Sequence, residues 1–439
     1  MSVKLTQRER AAILNSLAAG VVPRIGLEHV QVDRKEEVAG LLEDLKRVEA
    51  DGASVRFVVG RFGTGKSFLL NLIRTVALER KFVVVQADIT TQRRLHATGG
   101  EARSLYSELM KNLCTRSKPE GSALPNLIER WVSDVAFQVK NGGGDDAAVE
   151  AKLQELCKPL QDLVSGYDFV NVIAQYYRGY LQQNEILQSA AVRWLRAEYS
   201  TKTEARQDLG VRSIIDDHSI YDYLKLFARF VKIAGYAGLL VCLDELVVLS
   251  HRLNNRIARN NNYESILRIV NDCLQGGVQN LSFIFAATDE CLTDKRRGLF
   301  SYEALATRLA ENRFASQDMV DMSGPVMRLK PLTPEDCYVL LNNIRSVHAG
   351  GNGAPCVLPE ESIEAYLASC QQRMGAAYFQ TPRETIKDWV GLLNVVQQNS
   401  TADWKQLIGE IKTVAAGSVD PSVAAATKDA DDDLTTFKM

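Results

Sequence analysis

Gly60-Arg61-Phe62-Gly63-Thr64-Gly65-Lys66-Ser67 follows the apolar run Val55-Arg-Phe-Val-Val59 and opens a stretch with Leu69, Leu70, Ile73 and Val76 at helical spacing. The octapeptide fits G-x-x-x-x-G-K-[ST] in full, with the strand before it and the helix after it that the pattern needs. Chemistry sets the spacing. A chain of phosphates carries several negative charges, and backbone N–H groups wrap it only where the backbone comes close and turns through positive φ, which glycine allows. The N-terminus of the following helix points partial positive charge at the same place. In this reading Gly60, Arg61, Phe62, Gly63, Thr64, Gly65 and Phe68 form the cradle, Lys66 reaches the β- and γ-phosphates, and the Ser67 hydroxyl holds Mg²⁺. The stretch implies ATP with Mg²⁺.

A triphosphate site that hydrolyses also needs acid. Leu239-Leu-Val-Cys-Leu-Asp244-Glu245 is an apolar run ending in two carboxylates. Asp244 is placed to bind Mg²⁺ through water, and Glu245 to polarise the attacking water as general base. The bland reading, an Asp-Glu pair capping a strand, uses the same residues. Leu281-Ser-Phe-Ile-Phe-Ala-Ala287 is a further apolar run, followed by Thr288-Asp289-Glu290.

The remaining pattern sorts into helices and short strands. Phe82 to Asp88 and Val326 to Leu329 read as strands, whose β-branched, apolar character suits a parallel sheet buried on both faces. Between Asp88 and Gly238 strand signal is almost absent. Leu105, Leu109 and Leu113 recur every fourth residue, as do Leu127, Trp131 and Val135, and longer stripes run from Val149 to Leu163 and from Phe169 to Leu195. These are amphipathic helices. The expected fold is α/β, a P-loop NTPase with a five-stranded, mostly parallel sheet. Its divisions are a helical lead-in over 1–54, a core of 55–100 and 233–330, a helical insertion of 101–232, a helical lid over 331–415, and a disordered acidic tail of 416–439.

Bulk properties narrow the class. The chain has 439 residues, 46% hydrophobic and 24% charged, with a formal net charge of -2. No global basic field announces nucleic acid. No apolar run approaches the roughly 18 residues of a membrane span, and the N-terminal residues lack a signal core, so a cytoplasmic protein is expected. The eight cysteines include no C-x-x-C pair, which points to reduced thiols.

Several pieces carry a resemblance. Gly26-Leu-Glu-His-Val-Gln-Val-Asp-Arg, Arg56-Phe-Val-Val-Gly-Arg-Phe-Gly-Thr-Gly-Lys-Ser, Asp244-Glu245 and Thr381-Pro-Arg, in that order and with the helical insertion, resemble the BREX-system ATP-binding proteins, the BrxD-like P-loop family. The chain is similar, more distantly, to the origin-recognition and replication-initiator branch of AAA+ ATPases. That resemblance implies further roles. Ala286-Ala-Thr-Asp289 is like the Ala-Ala-Thr-Asn of the class, so Thr288 or Asp289 would contact the γ-phosphate and water, with Asp standing where Asn is usual. Arg308, or its neighbour Arg313, would reach the next subunit's γ-phosphate in a homo-oligomer. Arg383 would sense the nucleotide from the lid, although Pro382-Arg383 also reads as a plain helix start. Val32 to Glu37 is similar to the segment that packs on adenine. The family implies a place in bacterial anti-phage defence, beside helicase or nuclease partners.

Local basic clusters at Arg93-Arg94, His251 to Arg259 and Lys295-Arg-Arg297 could contact DNA phosphates, or could be ordinary solvated charge. Two functions share every motif: an ATP-hydrolysing AAA+ protein acting with DNA or DNA-bound partners, and an ATP-dependent switch or scaffold with slow turnover. A P-loop kinase is a third class, disfavoured by Glu245 and the lid.

Overall fold

The computed structural model describes residues 5–32, 34–314, 321–351, 354–374, 382–399 and 401–410. Asp33, Thr381 and the tail 416–439 lie outside them. Five strands, β1 (Ala53–Val59), β2 (Val83–Asp88), β3 (Leu239–Asp244), β4 (Leu281–Ala287) and β5 (Val326–Arg328), form one sheet in the order β2-β3-β4-β1-β5. Every pairing is parallel, so the sheet is all-parallel rather than mostly so. β4 separates β1, which feeds the phosphate loop, from β3, which ends in Asp244.

Both faces of the sheet are covered, which explains the unbroken apolar runs. Side chains alternate across a strand. Val55, Phe57 and Val59 face the same core as Val83, Val85, Val241 and Leu243, while Val58, Val84, Leu240 and Cys242 face the other. The first core continues into the helices between β2 and β3. The second is closed by the Lys35–Glu49 helix through Leu41, Leu45 and Val48, and by the Lys66–Glu79 helix through Leu69, Leu70 and Ile73. A buried ion pair fastens the first of these to β1: Arg56 donates from Nε and Nη2 to the two Asp44 carboxylate oxygens at 2.8 and 2.7 Å.

The long stripes of the insertion are shorter helices. The Phe169–Leu195 stripe divides into Gly166–Leu181 and Glu185–Leu195. Gln183 turns through φ 53°, and the Asn184 side chain accepts from Leu187 N, capping the second helix. The Val149–Leu163 stripe breaks at Lys158, where Pro159 starts a new turn.

A third core joins the Gln7–Ala18 helix to the helices that follow β5. Ile13 of the Gln7–Ala18 helix is buried with Leu341 and Ile344 of the Pro334–Ala349 helix and with Trp389 and Leu393 of the Pro382–Gln398 helix. Phe68, at the start of the helix after the phosphate loop, packs against both this core and the sheet core. Seven of the cysteines are buried, and Cys356 is half-buried. No helix among the described residues is long and apolar enough to cross a membrane.

Candidate functional site

The site is built where the strands of the parallel sheet end, the place such sheets reserve for ligands. β1 runs into the loop, which is anchored from both neighbouring strands: Gly60 N donates to Ala287 O, and Leu329 N donates to Val59 O. Two glycines are demanded by geometry. Gly65 has φ 95° at the N-cap of the Lys66–Glu79 helix. A Cβ on Gly60 would lie 2.7 Å from Thr64 Oγ1. Lys66 is buried and donates to the carbonyl oxygens of Gly60 and Arg61, each at 2.8 Å. Its ammonium also lies 5.4 Å from the centre of the exposed Phe62 ring.

Carboxylates surround that lysine. Ser67 Oγ donates to Asp244 Oδ2 at 2.6 Å, and Asp244 Oδ1 accepts from Glu245 N at 2.8 Å. Burial pulls the Lys66 pKa down, against the opposing pull of Asp244, Glu245 and Asp289. Glu245 stands at φ 60°, a strained conformation for a residue with a side chain. Its surface is open to water, yet the walls of the site crowd it. Lost hydration and the neighbouring Asp244 charge raise its pKa. Ser67 Oγ and Asp244 Oδ2 are hard oxygen ligands within one ion's reach, so the donor set fits Mg²⁺.

A cavity opens over the loop. Lys66, Ser67, Asp244, Glu245, Arg34 and Arg383 are its charged and polar lining. The rest of its lining is apolar: Leu17, Val21, Val22, Pro23, Val30 and Val32 come from the N-terminal segment, Leu332 from just before the Pro334–Ala349 helix, Leu340 from that helix, and Ile386 from the Pro382–Gln398 helix. The charged residues suit phosphates and the apolar ones a flat base. Arg383, in the first turn of the Pro382–Gln398 helix, thus lines the same cavity as the phosphate loop, over Gly20.

Other expected residues are placed differently. Thr288 is buried and caps the Asp289–Thr293 helix by accepting from Cys291 N. Asp289 pairs with Arg328 of β5 while remaining close enough to Lys66 to act on its charge. Arg308 does not line the cavity of its own chain. Its guanidinium donates to Asn271 Oδ1 and Ala304 O. Arg313 is exposed. Of the basic clusters, Arg93 pairs with Glu108, Arg94 with Glu101, and Arg259 is buried on Leu253 O.

Two residues that the sequence reading placed only within a segment or at a strand end take part in the site. Arg34 is 8% exposed and bridges three segments: it donates to Glu37 Oε1 at 3.0 Å, to Lys330 O at 2.7 Å and to Thr64 O at 3.1 Å. It ties the phosphate loop to the junction between β5 and the lid. Asp88 ends β2 and is the register partner of Asp244 across β3. Although its surface is open to water, lost hydration within the site and the Asp244 charge raise its pKa, and it is a third carboxylate at the carboxyl end of the strands. Its signal in the sequence was an acid closing an apolar strand, the same signal that revealed Asp244.

No curated protein matches the chain. Residues 5–412 match the family model described as BREX system ATP-binding protein BrxC/D. The match takes in both halves of the cavity, the insertion and the lid helices, and the chain belongs to the BREX system ATP-binding protein BrxC/D family.

Proposed function

We propose that the chain is a Mg²⁺-dependent ATPase of BREX-type defence, acting as a homo-oligomer with DNA or DNA-bound helicase or nuclease partners. The observation that carries hydrolysis is the juxtaposition of Ser67, Asp244 and Glu245 around Lys66 at the carboxyl end of the strands. Mg²⁺, held by Ser67 and Asp244, would neutralise phosphate charge. Lys66 exchanges its bonds to Gly60 O and Arg61 O for phosphate oxygens. Glu245 accepts the proton of the attacking water, a role suited to its raised pKa. Arg383 brings a lid charge to the same cavity, so that lid position reports on the nucleotide. Arg308 is assigned to the neighbouring subunit's phosphates, for which it must leave Asn271.

Steady-state phosphate release from the purified chain, with and without Mg²⁺ and with and without DNA, tests this. Mg²⁺-dependent turnover lost in Glu245→Gln supports hydrolysis. Tight ATP binding with negligible turnover, indifferent to DNA, would instead make the chain a switch or scaffold.

A further inference from the structure

The loops that leave β3 and β4 each carry a piece of the ATP site and then, a few residues on, a basic cluster. After Glu245 the backbone makes a tight turn, Val248 N donating to Glu245 O at 3.0 Å, and then a π-helical segment, Val248–Arg252. Such turns are rare and gather at functional sites. The turn ends in Arg252 and leads to Arg256 at the head of the Arg256–Leu274 helix. After Thr288 and Asp289, the β4 loop reaches Lys295 and Arg296.

The fold brings these clusters together. His251 Nε2 lies 3.8 Å from Asp294 Oδ2, and Tyr263 donates its hydroxyl to Arg297 O. Arg252, Arg256, Lys295 and Arg296 are exposed, and among the described residues their side chains make no ion pair. Nearby acids do not cancel them. Asp294 is held by His251 and by Arg296 N, and Glu245 faces Arg252, which leaves Arg256, Lys295 and Arg296 with the exposed Glu290. The N-terminus of the Arg256–Leu274 helix adds partial positive charge to the same surface. By contrast, Arg93 and Arg94 are paired and Arg259 is buried.

We infer that this surface binds the phosphate backbone of DNA, and that it does so beside the ATP site because the two loops are shared. The inference rests on the reading that the chain acts with DNA, and names where. Unpaired exposed cations without an array of base-reading side chains fit backbone contact, which carries affinity but no sequence preference.

The test is fluorescence anisotropy of the full chain with labelled duplex and single-stranded DNA across a salt series. With about one phosphate per cation, log K should fall with log salt at a slope of roughly −3 to −4. The variant Arg256→Ala/Lys295→Ala/Arg296→Ala should flatten that slope by about 2 to 3, since each phosphate contact contributes about 1. Fluorescent-nucleotide binding and the thermal midpoint of the variant are measured alongside, and should match wild type. No DNA binding by wild type at low salt overturns the reading itself. Wild-type binding with an unchanged slope in the variant overturns only this surface. Equally tight binding of polyglutamate would assign the surface to an acidic protein and overturn it for DNA.

Discussion

Ser67 Oγ and Asp244 Oδ2 meet at 2.6 Å although 177 positions separate them in the chain. Each is the other's partner where a metal ion would be shared. Asp244→Asn should therefore bind ATP without the Mg²⁺ dependence of wild type. Isothermal titration with and without EDTA measures this, and a variant that keeps the full Mg²⁺ effect would exclude Asp244 from the ion's shell.

Lys66→Ala should weaken ATP binding by about 100-fold or more, since two charge-assisted hydrogen bonds, each about 1.5–3 kcal/mol, are lost together. Equilibrium binding of a fluorescent ATP analogue reads the loss. Binding within a few-fold of wild type would place the phosphates elsewhere.

Glu245→Gln should keep ATP binding and lose turnover by about 10²–10⁴-fold, the range for a general base. It has a second expected effect. The raised pKa means that folding disfavours the ionised form, so this carboxylate's cost grows as pH rises through its folded value. Measured without nucleotide, the variant should melt higher than wild type at neutral pH. The gain should vanish below the ordinary glutamate range, where wild-type Glu245 is protonated as well. A melting advantage that stays constant with pH would contradict this.

Arg34→Ala strands the buried Glu37 carboxylate, and loss of one partner of a buried pair costs about 3–5 kcal/mol. Arg34→Lys keeps the charge but not the fork that spans Thr64 O and Lys330 O. The lysine variant should keep most of the stability and still show weaker nucleotide binding. Denaturant midpoints and binding constants separate the two. A lysine variant indistinguishable from wild type in binding would reduce Arg34 to a structural pair.

The assignment of Arg308 to a neighbouring subunit is checked by mixing. Lys66→Ala and Arg308→Ala are each expected to be inactive alone. Combined, some interfaces pair an intact loop with an intact arginine, and turnover should return in part. If it does not, Arg308 serves Asn271 and Ala304 within its own subunit, and Arg313 becomes the residue to test.

The strands and the loop were legible because they are local. A run such as Leu239 to Leu243, buried on both faces, needs no partner to be recognised. The phosphate loop carries its glycines, lysine and serine within eight positions. What stayed hidden depends on meetings across the chain. Arg34 finds Lys330 at a separation of 296 residues. Asp88 gains meaning only once β2 is known to lie beside β3. The apolar half of the cavity draws from both the N-terminal segment and the lid, and no window of sequence contains both. Helix ends were misjudged for a different reason: the apolar stripe continues across Gln183 and Lys158, while turns and caps end the helices there.

The packing of Ile13 against the lid helices has a consequence for synthesis. A ribosome adds about 5–20 residues per second. Ile13 therefore leaves the ribosome roughly 20 to 80 seconds before Trp389, and its helix spends that interval without the surface that buries it. The nascent chain must keep the apolar side of this helix, Ile13 with Leu14 and Leu17, from sticking elsewhere until the Pro382–Gln398 helix is made. The apolar wall of the cavity that Leu17, Val21 and Val30 contribute is completed only then. Nucleotide capture should therefore wait on synthesis of the Pro382–Gln398 helix.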